Sequence, residues 1–568
     1  MEFYAHDALV IGTGAAGYSA ACRLKALGVD VALVTEGVNC GTSRNTGSDK
    51  QTYYKLSLAG GNPDSVAEMA QDLFAGGCVD GDNALCEAAN SARCFLQLAE
   101  LGVAFPTNRY GEFVGYKTDH DPRERATSAG PLTSKFMTEA LQAQAEKLQI
   151  PVYDGYYAAK LLVENKKILG AACVREGEQA IFSCGNCILA TGGPAGIYAD
   201  TVYPVGHTGS TGLAVRAGAV LQNLEFWQYG LASTQPRWNV SGTYMQVLPR
   251  LVSVDSQGRE YEFLNDYFDE PNAGLSQLFL KGYQWPFDPK KAENGSSRID
   301  LWVHRETVEK HRRVYLDFTQ NPQGLDFSRL DEEAYRYLEK ADALFGTPID
   351  RLEKMNAPAV ALYRSKGVDL RREKLPIALC AQHCNGGIAV DAWWQTTIRG
   401  LFAIGECAGT HGMARPGGSA LNAGQVGALR AAQYIAAHPM PLPDKETVLA
   451  MAEENPDMLC EGVSEAARQL MSIVAGAVRD TAAIRRTRQN LLLSLREKLP
   501  LRLEEQFLTL GAVLTAMANA NTDPAMVQEV VWDGREFTSR LRPVRPIPAE
   551  DDCFENVWRT YRENGNVY

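Results

Sequence analysis

The stretch ALVIGTGAAGYSAACRLKALGVDVALVTEG, residues 8–37, contains the clearest structural pattern in the chain. ALVIG is an apolar run typical of a buried strand, GTGAAG is a tight turn, YSAACRLKALG carries apolar residues at helical spacing, and VDVALVTEG is a second apolar, β-rich run. Strand, turn, helix and strand in this order predict a βαβ unit, and therefore an α/β fold built on a parallel sheet.

Three glycines stand at the turn of this unit. Gly12, Gly14 and Gly17 follow the first strand and open the helix. Without side chains there, the chain can turn tightly and a pyrophosphate can approach the helix N-terminus, where free N–H groups and the helix dipole favour negative charge. Glu36 ends the next strand, where its carboxylate can accept hydrogen bonds from both hydroxyls of an adenosine ribose and disfavours a 2′-phosphate. The sequence therefore predicts a dinucleotide site that rejects NADP.

Composition narrows the class of protein. The chain has 568 residues, of which 45% are hydrophobic and 22% charged, so two or three packed domains are expected. A net charge of -12 disfavours nucleic acid as a partner. The N-terminal segment lacks the features of a signal peptide, and no apolar run approaches the roughly 20 residues that span a membrane. We therefore expect a cytoplasmic protein without a membrane segment.

Cysteine spacing gives no sign of a metal site. The 13 cysteines contain no paired CxxC clusters of the kind that hold metals. Cys184 and Cys187, in the sequence CGNC, are interpreted as buried structural residues because the apolar run around them is typical of a strand.

Changes in composition and in hydrophobic periodicity divide the chain into four segments. Residues 1–223 are predicted to form the first part of the nucleotide-binding domain, and residues 224–370, which are rich in aromatic side chains, an inserted α+β capping domain. A glycine-rich pattern typical of strands followed by helices returns at ALCAQHCNGGIAVD and LFAIGECAG. Residues 371–440 are therefore expected to complete the nucleotide-binding domain. Residues 441–568 have mostly helical periodicity and are predicted to form a C-terminal helical domain. The substrate site is expected between the first two domains.

Later motifs favour FAD over NAD. ILATGGPAGIY, residues 188–198, and LFAIGECAG, residues 401–409, resemble FAD-contact motifs of flavoproteins with two dinucleotide-binding folds. The segment GECAGTHGMARPGGSALNAGQVGALRAA, residues 405–432, resembles the part of the succinate dehydrogenase/fumarate reductase flavoprotein family that runs into a helix under the flavin. The motifs GHTGSTGLAVRAGA, VDSQGREYEF, VYLDFT and HCNGGIAVD follow the order of that family, so the resemblance covers most of the chain.

The resemblance implies a Rossmann-like FAD domain and a defined set of contacts. Glu406 is expected at the ribityl chain, and the amides of Gly417, Gly418 and Ser419 at the start of the helix are expected to stabilise the anionic side of a reduced flavin. The implied cofactor-binding residues are Gly12, Gly14, Ala15, Ala16, Gly17, Thr35, Glu36, Thr42, Ser43, Asn45, Thr46, Gly47, Ala190, Thr191, Gly192, Gly193, Glu406, Gly418, Ser419, Ala420 and Leu421.

The resemblance also implies three catalytic residues. Arg415 corresponds to an arginine that clamps a substrate carboxylate through its planar fork, and His383 to a histidine that binds the same carboxylate. Arg298 stands near the place of an arginine that donates a proton to the substrate, a role that needs an adjacent acid because the free pKa of arginine is above 12. Asp300 or Glu306 is a candidate for that acid, and Arg305 is a competing proton donor.

Two departures from the family limit what is carried over. The family's His-Pro-Thr falls at Gly230, Leu231 and Ala232, so one end of a dicarboxylate would be poorly paired, and a substrate other than succinate or fumarate is expected. Arg44 and Asn45 stand where respiratory members have the histidine that attaches FAD, so FAD is expected to bind non-covalently. His120 and His207 lie in segments near the implied flavin site and are interpreted as loop or cofactor-shell residues.

The sequence leaves three functions open. The first is reduction of a C=C bond next to a carboxylate or similar anion by hydride transfer at flavin N5, or the reverse reaction. The second is a flavin oxidase resembling L-aspartate oxidase, and the third is an electron-transfer subunit with a vestigial substrate site. No haem, FMN or iron–sulfur segment is seen in the sequence, so electrons are expected from a diffusible donor or a separate protein.

Overall fold

The structure, a computed structural model, describes residues 2–452 and 462–549. Its strands are β1 (Glu2–Ile11), β2 (Val31–Thr35), β3 (Tyr53–Tyr54), β4 (Ala126–Thr127), β5 (Val152–Asp154), β6 (Tyr157–Glu164), β7 (Lys167–Arg175), β8 (Glu178–Leu189), β9 (Leu221–Gln222), β10 (Trp227–Thr234), β11 (Arg237–Asn239), β12 (Arg250–Val254), β13 (Glu260–Tyr261), β14 (Arg313–Asp317), β15 (Leu375–Cys384), β16 (Gly387–Ile388), β17 (Leu401–Ala403), β18 (Met526–Trp532) and β19 (Phe537–Pro543). Its α-helices are α1 (Ala15–Ala26), α2 (Thr42–Asn45), α3 (Val66–Phe74), α4 (Gly81–Glu100), α5 (Thr133–Lys147), α6 (Thr211–Arg216), α7 (Thr243–Gln246), α8 (Pro271–Leu280), α9 (Ser297–His304), α10 (Glu332–Lys340), α11 (Pro348–Ser365), α12 (Ser419–Ala437), α13 (Lys445–Ala452), α14 (Glu465–Val474), α15 (Thr481–Ser494) and α16 (Leu501–Ala518).

The first sheet is built on the predicted βαβ unit. Its strand order is β5-β2-β1-β8-β7-β6, and β17 pairs with the end of β8. β1, β2, β5, β8 and β17 run parallel to one another, and α1 crosses from β1 to β2 and packs against α5 and α12. Because the carboxyl ends of parallel strands meet at one edge, the residues after Ile11, Thr35, Leu189 and Ala403 are collected together there. This sheet includes β17, so a segment far along the chain completes the nucleotide-binding fold.

The second sheet belongs to the inserted segment. Its order is β11-β10-β15-β14-β12-β13, all antiparallel, and it has its own apolar core, which includes residues of α8, α9 and α11. β15 was expected in the second part of the nucleotide-binding domain, yet it is hydrogen-bonded between β10 and β14. The chain therefore returns to the nucleotide-binding fold only after Cys384, at the carboxyl end of β15.

The C-terminal segment, predicted from its mostly helical periodicity to be a helical domain, also contains two strands. After α14, α15 and α16, β18 and β19 form a hairpin that pairs with β9 of the nucleotide-binding part. The β-branched run in β18 and an Asp533-Gly534 turn, with Gly534 at φ +95°, explain the hairpin. Leu508 and Val513 of α16 share one apolar cluster with Ile11 and Leu189, so this segment completes the core around the first sheet. Residues 453–461 and 550–568 of the predicted domain lie outside the described residues.

Within the two described ranges, no helix has the length and apolar character needed to cross a membrane.

Candidate active site

A cavity of about 510 Å³ lies at the carboxyl edge of the first sheet. Residues of the nucleotide-binding part, of the inserted segment and of α16 line it together. Its volume falls within the usual range for small-molecule and cofactor pockets, about 300–1,000 Å³. The position, next to the glycine turn of the βαβ unit, is the place where α/β sheets bind their ligands.

The glycine turn leaves one open face toward the cavity. Gly12 has φ +111°, and a Cβ on it would lie 2.4 Å from the carbonyl oxygen of Ala190. A Cβ on Gly17 would lie 2.0 Å from the carbonyl oxygen of Gly12. A Cβ on Gly14, which caps α1, would meet only Ser43 Oγ, at 3.2 Å. Gly12 and Gly17 are therefore required by packing, whereas Gly14 keeps space free at the helix N-terminus.

A series of connected residues, which we call the polar ring, lies at the other end of the cavity. It consists of Arg415, Gln228, His383, Gln382, Trp285, Asp119 and Gly417, all of which line the cavity. Arg415 donates to Gln228 Oε1, and Gln228 is the cross-strand partner of His383. Gln382 is the neighbour of His383 in the chain, and its Oε1 accepts a hydrogen bond from Trp285 Nε1 at 3.0 Å. The backbone of Trp285 donates to Asp119 Oδ2 at 2.9 Å, and Gly417 N donates to the Asp119 carbonyl at 3.3 Å.

Three nitrogen atoms of the polar ring are buried without a hydrogen-bond partner. They are Arg415 Nε, Gln382 Nε2 and His383 Nε2. Burial lowers the pKa of Arg415 to about 10, so its guanidinium is still a cation at neutral pH. A buried cation and a buried amide N–H left unpaired cost free energy, so both atoms indicate an acceptor that the protein itself does not supply. The ring is suited to bind an anion.

His383 has a defined tautomer. Asn385 Nδ2 donates to the carbonyl of Gly412 at 2.8 Å, which leaves Asn385 Oδ1 to accept from His383 Nδ1 at 3.1 Å. Neutral His383 therefore carries its proton on Nδ1, and its Nε2 is an acceptor. Burial, and then the charges of Arg415 and His411, hold the pKa of His383 well below its usual range. Its Nε2 can donate to an anion only after the ring gains a second proton.

The polar ring also contains an acid. Burial raises the pKa of Asp119 to about 6, against the opposing charge of Lys291. Nearby, burial raises the pKa of Glu406 to about 7, although its carboxylate accepts from Tyr203 Oη and from Cys384 N at 2.9 Å. Asp119 and Glu406 both line the cavity, so this end of it holds two carboxyl groups able to exchange protons near neutral pH.

Comparison with known proteins assigns the nucleotide. Residues 7–421 match the model of the FAD binding domain. The chain belongs to the FAD binding domain family. It is similar to the L-aspartate oxidase of Agrobacterium fabrum, with 27% identity over 494 residues that cover 85% of this chain and 83% of the relative. It is also similar to one of the subunits of the fumarate reductase (CoM/CoB) of Methanothermobacter marburgensis, with 26% identity over 444 residues, or 76% of this chain and 72% of the relative.

A solved structure gives the same fold. The quinol fumarate reductase of E. coli, in a mutant form, superposes with a TM-score of 0.64 at 19% identity and covers 97% of this chain and 98% of its own. The predicted α/β architecture and the resemblance to the succinate dehydrogenase/fumarate reductase flavoproteins are confirmed, and so is FAD as the cofactor.

Most residues implied for FAD by this family line the cavity. These are Gly12, Gly14, Ala15, Ala16, Thr35, Glu36, Thr42, Ser43, Thr46, Gly47, Ala190, Thr191, Gly192, Glu406, Gly418, Ala420 and Leu421. They fit a dinucleotide because Gly14 leaves the N-terminus of α1 open and Gly418, at φ +89°, begins the 19-residue α12 at the same cavity. Glu36 and the Gly14 turn would hold FAD at one end, and the start of α12 would hold it at the other.

Four implied FAD residues do not line the cavity but contact residues that support its wall. Gly17 packs on Gly12, and Gly193 leaves room for Glu406, whose Oε1 would lie 2.3 Å from a Cβ there. Asn45 Nδ2 donates to the carbonyls of Asn39 and Gly41, and Ser419 Oγ accepts from Arg415 Nη1 at 3.4 Å. These residues shape the loops that carry the lining residues.

The arginines considered as proton donors lie elsewhere. Arg298 is on α9, with its guanidinium over the rings of Phe268 and Trp302, and it does not line the cavity. Arg305 is exposed and paired with Glu309. Asp300 is buried against Lys281, with 2.6 Å between Oδ2 and Nζ.

The two histidines interpreted as loop or cofactor-shell residues differ in their position relative to the cavity. His207 lines the cavity beside Gly192, in agreement with its interpretation as a cofactor-shell residue, whereas His120 is exposed and does not line it. Cys184 and Cys187 are buried in β8, as the strand pattern predicted.

Sequence reasoning missed Asp119, Trp285 and Gln382. Asp119 stands beside His120 in a segment that resembles one flanking the flavin, so the sequence did contain a signal for it. Trp285 reaches the site only through the fold of the inserted segment, and no motif marks it.

His383 gives a prediction for the pH dependence of anion binding. An anion at Nε2 raises the pKa of His383, so the complex binds a proton that the free protein lacks. Affinity for a saturated carboxylate should therefore rise as pH falls, by at most about tenfold per pH unit for one proton. The measurement is a titration of the flavin absorbance between about pH 6 and 8. His383→Asn should reduce the dependence, and the remainder should come from the carboxyl groups of Asp119 and of Glu406, whose Oε1 lies 3.9 Å from His383 Nε2. An unchanged slope in this variant would contradict the assignment.

Proposed function

We propose that the protein is an FAD-dependent oxidoreductase that reduces, or forms, a C=C bond next to a carboxylate or similar anion. The observation that carries this proposal is the polar ring, in which the buried Arg415 Nε and Gln382 Nε2 have no protein partner and line the cavity that also receives FAD. The names of the relatives, fumarate reductase and L-aspartate oxidase, are those of enzymes that act on small organic acids.

Within this proposal three residues of the polar ring, Arg415, Gln382 and Asp119, have separate tasks. FAD, when bound, supplies two-electron hydride exchange at its N5. Arg415 binds the carboxylate through its fork, and Gln382 donates a further hydrogen bond. The α12 N-terminus at Gly418 holds negative charge near the cofactor. Asp119 takes the place expected for Arg298, because it is an acid on the ring and gives the proton from its carboxyl oxygen to the second carbon.

The far end of the site explains why fumarate is not the proposed substrate. A Cβ on Gly230 would lie 2.5 Å from Trp285 Cζ2 and 2.5 Å from Gln382 Nε2. The indole of Trp285 and the amide of Gln382 therefore occupy the space where the family has a histidine. The proposed substrate is accordingly a monocarboxylate or another monoanion.

Asp119→Asn is expected to lower kcat about 100-fold or more, with a smaller change in KM, because a positioned general acid contributes about 10² to 10⁴ in rate. Steady-state kinetics across pH is the measurement. Asp119→Glu should recover part of the rate, and the exposed Glu293→Gln serves as the control for a lost carboxylate. If Asp119→Asn keeps the wild-type kcat and pH profile, another group moves the proton.

The test of the proposed function is an anaerobic assay of the purified holoprotein. The flavin is reduced with dithionite, and unsaturated monocarboxylates and fumarate are added in turn. Return of the oxidised absorbance with a monocarboxylate, and not with fumarate, is the expected result. Reoxidation only by air would overturn the reductase proposal.

A flavin oxidase is the second candidate. It is favoured by the similarity to an L-aspartate oxidase over 85% of this chain and by Asp119, whose carboxylate could pair with a cationic group of an amino acid. Formation of hydrogen peroxide with an amino acid under air would support it over the first candidate.

The proposal also covers the attachment of FAD, the source of electrons and the cellular location. FAD is proposed to be non-covalent, so acid precipitation should release all of the flavin into the supernatant. A separate electron-donor protein is proposed because one relative is named as a subunit of its reductase. The cytoplasmic location expected from the sequence stays a prediction, to be checked by cell fractionation.

A further inference from the structure

The C-terminal helix α16 reaches the nucleotide end of the cavity. Arg502, Glu505 and Gln506, all in its first two turns, line the same cavity as Gly14 and Glu36. This part of α16 is held firmly against the nucleotide-binding part. Gly212 N donates to Thr509 Oγ1 at 2.9 Å, and a Cβ on Gly212 would lie only 1.8 Å from the carbonyl oxygen of Glu505. The position of Arg502 is therefore fixed by the fold.

Arg502 lies directly opposite the carboxylate expected to bind the adenosine ribose. Its Nη2 donates to Glu36 Oε1, and its guanidinium lies over the ring of Tyr157, with Cζ 4.3 Å from the ring centroid. Its Nε is buried and has no hydrogen-bond partner. The ion pair therefore leaves one buried donor unused at the rim of the cavity. A ligand that offers further acceptors would satisfy this donor.

The exposure of this pair separates a binding role from a structural one. The side chain of Glu36 is 57% exposed and that of Arg502 is 24% exposed. An ion pair this open to solvent contributes little to folding stability. Glu36 alone, however, presents a negative charge to a dinucleotide whose pyrophosphate is also negative. Arg502 offsets that repulsion and fixes the orientation of the carboxylate that accepts from the ribose.

We propose that Arg502 is an FAD-binding residue of the adenosine end, so that the C-terminal segment supplies part of the cofactor site. Arg502 holds the Glu36 carboxylate in place for the ribose hydroxyls and offers its Nε–H to an acceptor of the adenosine. The Rossmann-like turn alone does not complete this end of the site.

The test is the affinity of the full chain for FAD, measured by flavin fluorescence after the cofactor has been removed and added back. Arg502→Ala is expected to weaken FAD binding about 10- to 100-fold, the effect of losing one or two hydrogen bonds to a charged group. The affinity for ADP should fall by a similar factor, whereas binding of riboflavin should be unchanged. The melting temperature of the flavin-free protein should stay close to that of the wild type.

Two matched variants keep the result interpretable. Arg496→Ala removes an exposed arginine from the same segment that does not line the cavity, and it should leave the affinity unchanged. Arg502→Lys keeps the positive charge without the planar fork and should recover part of the affinity even if the alanine variant folds poorly. FAD and ADP affinities within twofold of the wild type in a folded Arg502→Ala protein would overturn the proposal, and so would an equal loss for riboflavin.

Discussion

Arg415→Ala is expected to lower kcat/KM about 100- to 1,000-fold while FAD remains bound. Arg415 donates to Gln228 and, at 3.4 Å, to Ser419 Oγ, and its Nε is buried without a partner. Loss of a charged group that binds a carboxylate in a desolvated site costs about 2–5 kcal/mol, and each 1.4 kcal/mol is tenfold. Steady-state kinetics gives the effect, and the flavin absorbance of the purified variant shows whether the cofactor is retained.

Two further substitutions decide what Arg415 contributes. Arg415→Lys keeps a cation but cannot bind a carboxylate through two parallel N–H groups, so an intermediate loss is expected. Arg399→Ala, at an exposed position that does not line the cavity, controls for a general effect of losing an arginine. Unchanged turnover in Arg415→Ala would remove Arg415 from the substrate site and would leave the polar ring without its anchor.

The nucleotide end of the site could be predicted from the sequence because its information is local. The glycines and Glu36 lie within one βαβ unit of about 30 residues, the usual length of such a unit, and the required backbone shape follows from the residue types alone. Arg415 and His383 were found differently, through a resemblance to motifs in which neighbouring glycines mark the loop. Both methods work where the functional residue and its structural support are adjacent in the chain.

The substrate end was only partly predictable because it is assembled from distant segments. Asp119 and Trp285 are 166 positions apart in the chain and meet where the backbone N–H of Trp285 donates to the Asp119 carboxylate. Arg298 illustrates the opposite case. Arg298 lies on α9, and the sequence could not say which face of this helix would point to the cavity. In the fold, its guanidinium packs on Phe268 and Trp302 while Asp300 is buried with Lys281.

Gly14→Val is expected to abolish FAD retention without unfolding the protein. The proposed site for the pyrophosphate is the open N-terminus of α1, and a Cβ at Gly14 would have Ser43 Oγ as its nearest neighbour, at 3.2 Å. The added side chain therefore finds little protein to displace and fills the space of the ligand instead. The same substitution at Gly12 would not separate the two effects, because its φ of +111° and the nearby Ala190 carbonyl already exclude any side chain.

Absorbance and circular dichroism of the purified Gly14→Val protein measure both halves of this prediction. Gly61→Val is the matched control, because a Cβ there meets nothing within 4 Å and Gly61 does not line the cavity, so this variant should be yellow. A colourless, folded Gly14→Val protein locates the pyrophosphate at the start of α1. A yellow Gly14→Val protein would mean that FAD is held without that helix terminus, and the roles given to Glu36 and Arg502 would fail with it, since both depend on the adenosine lying beside the same turn.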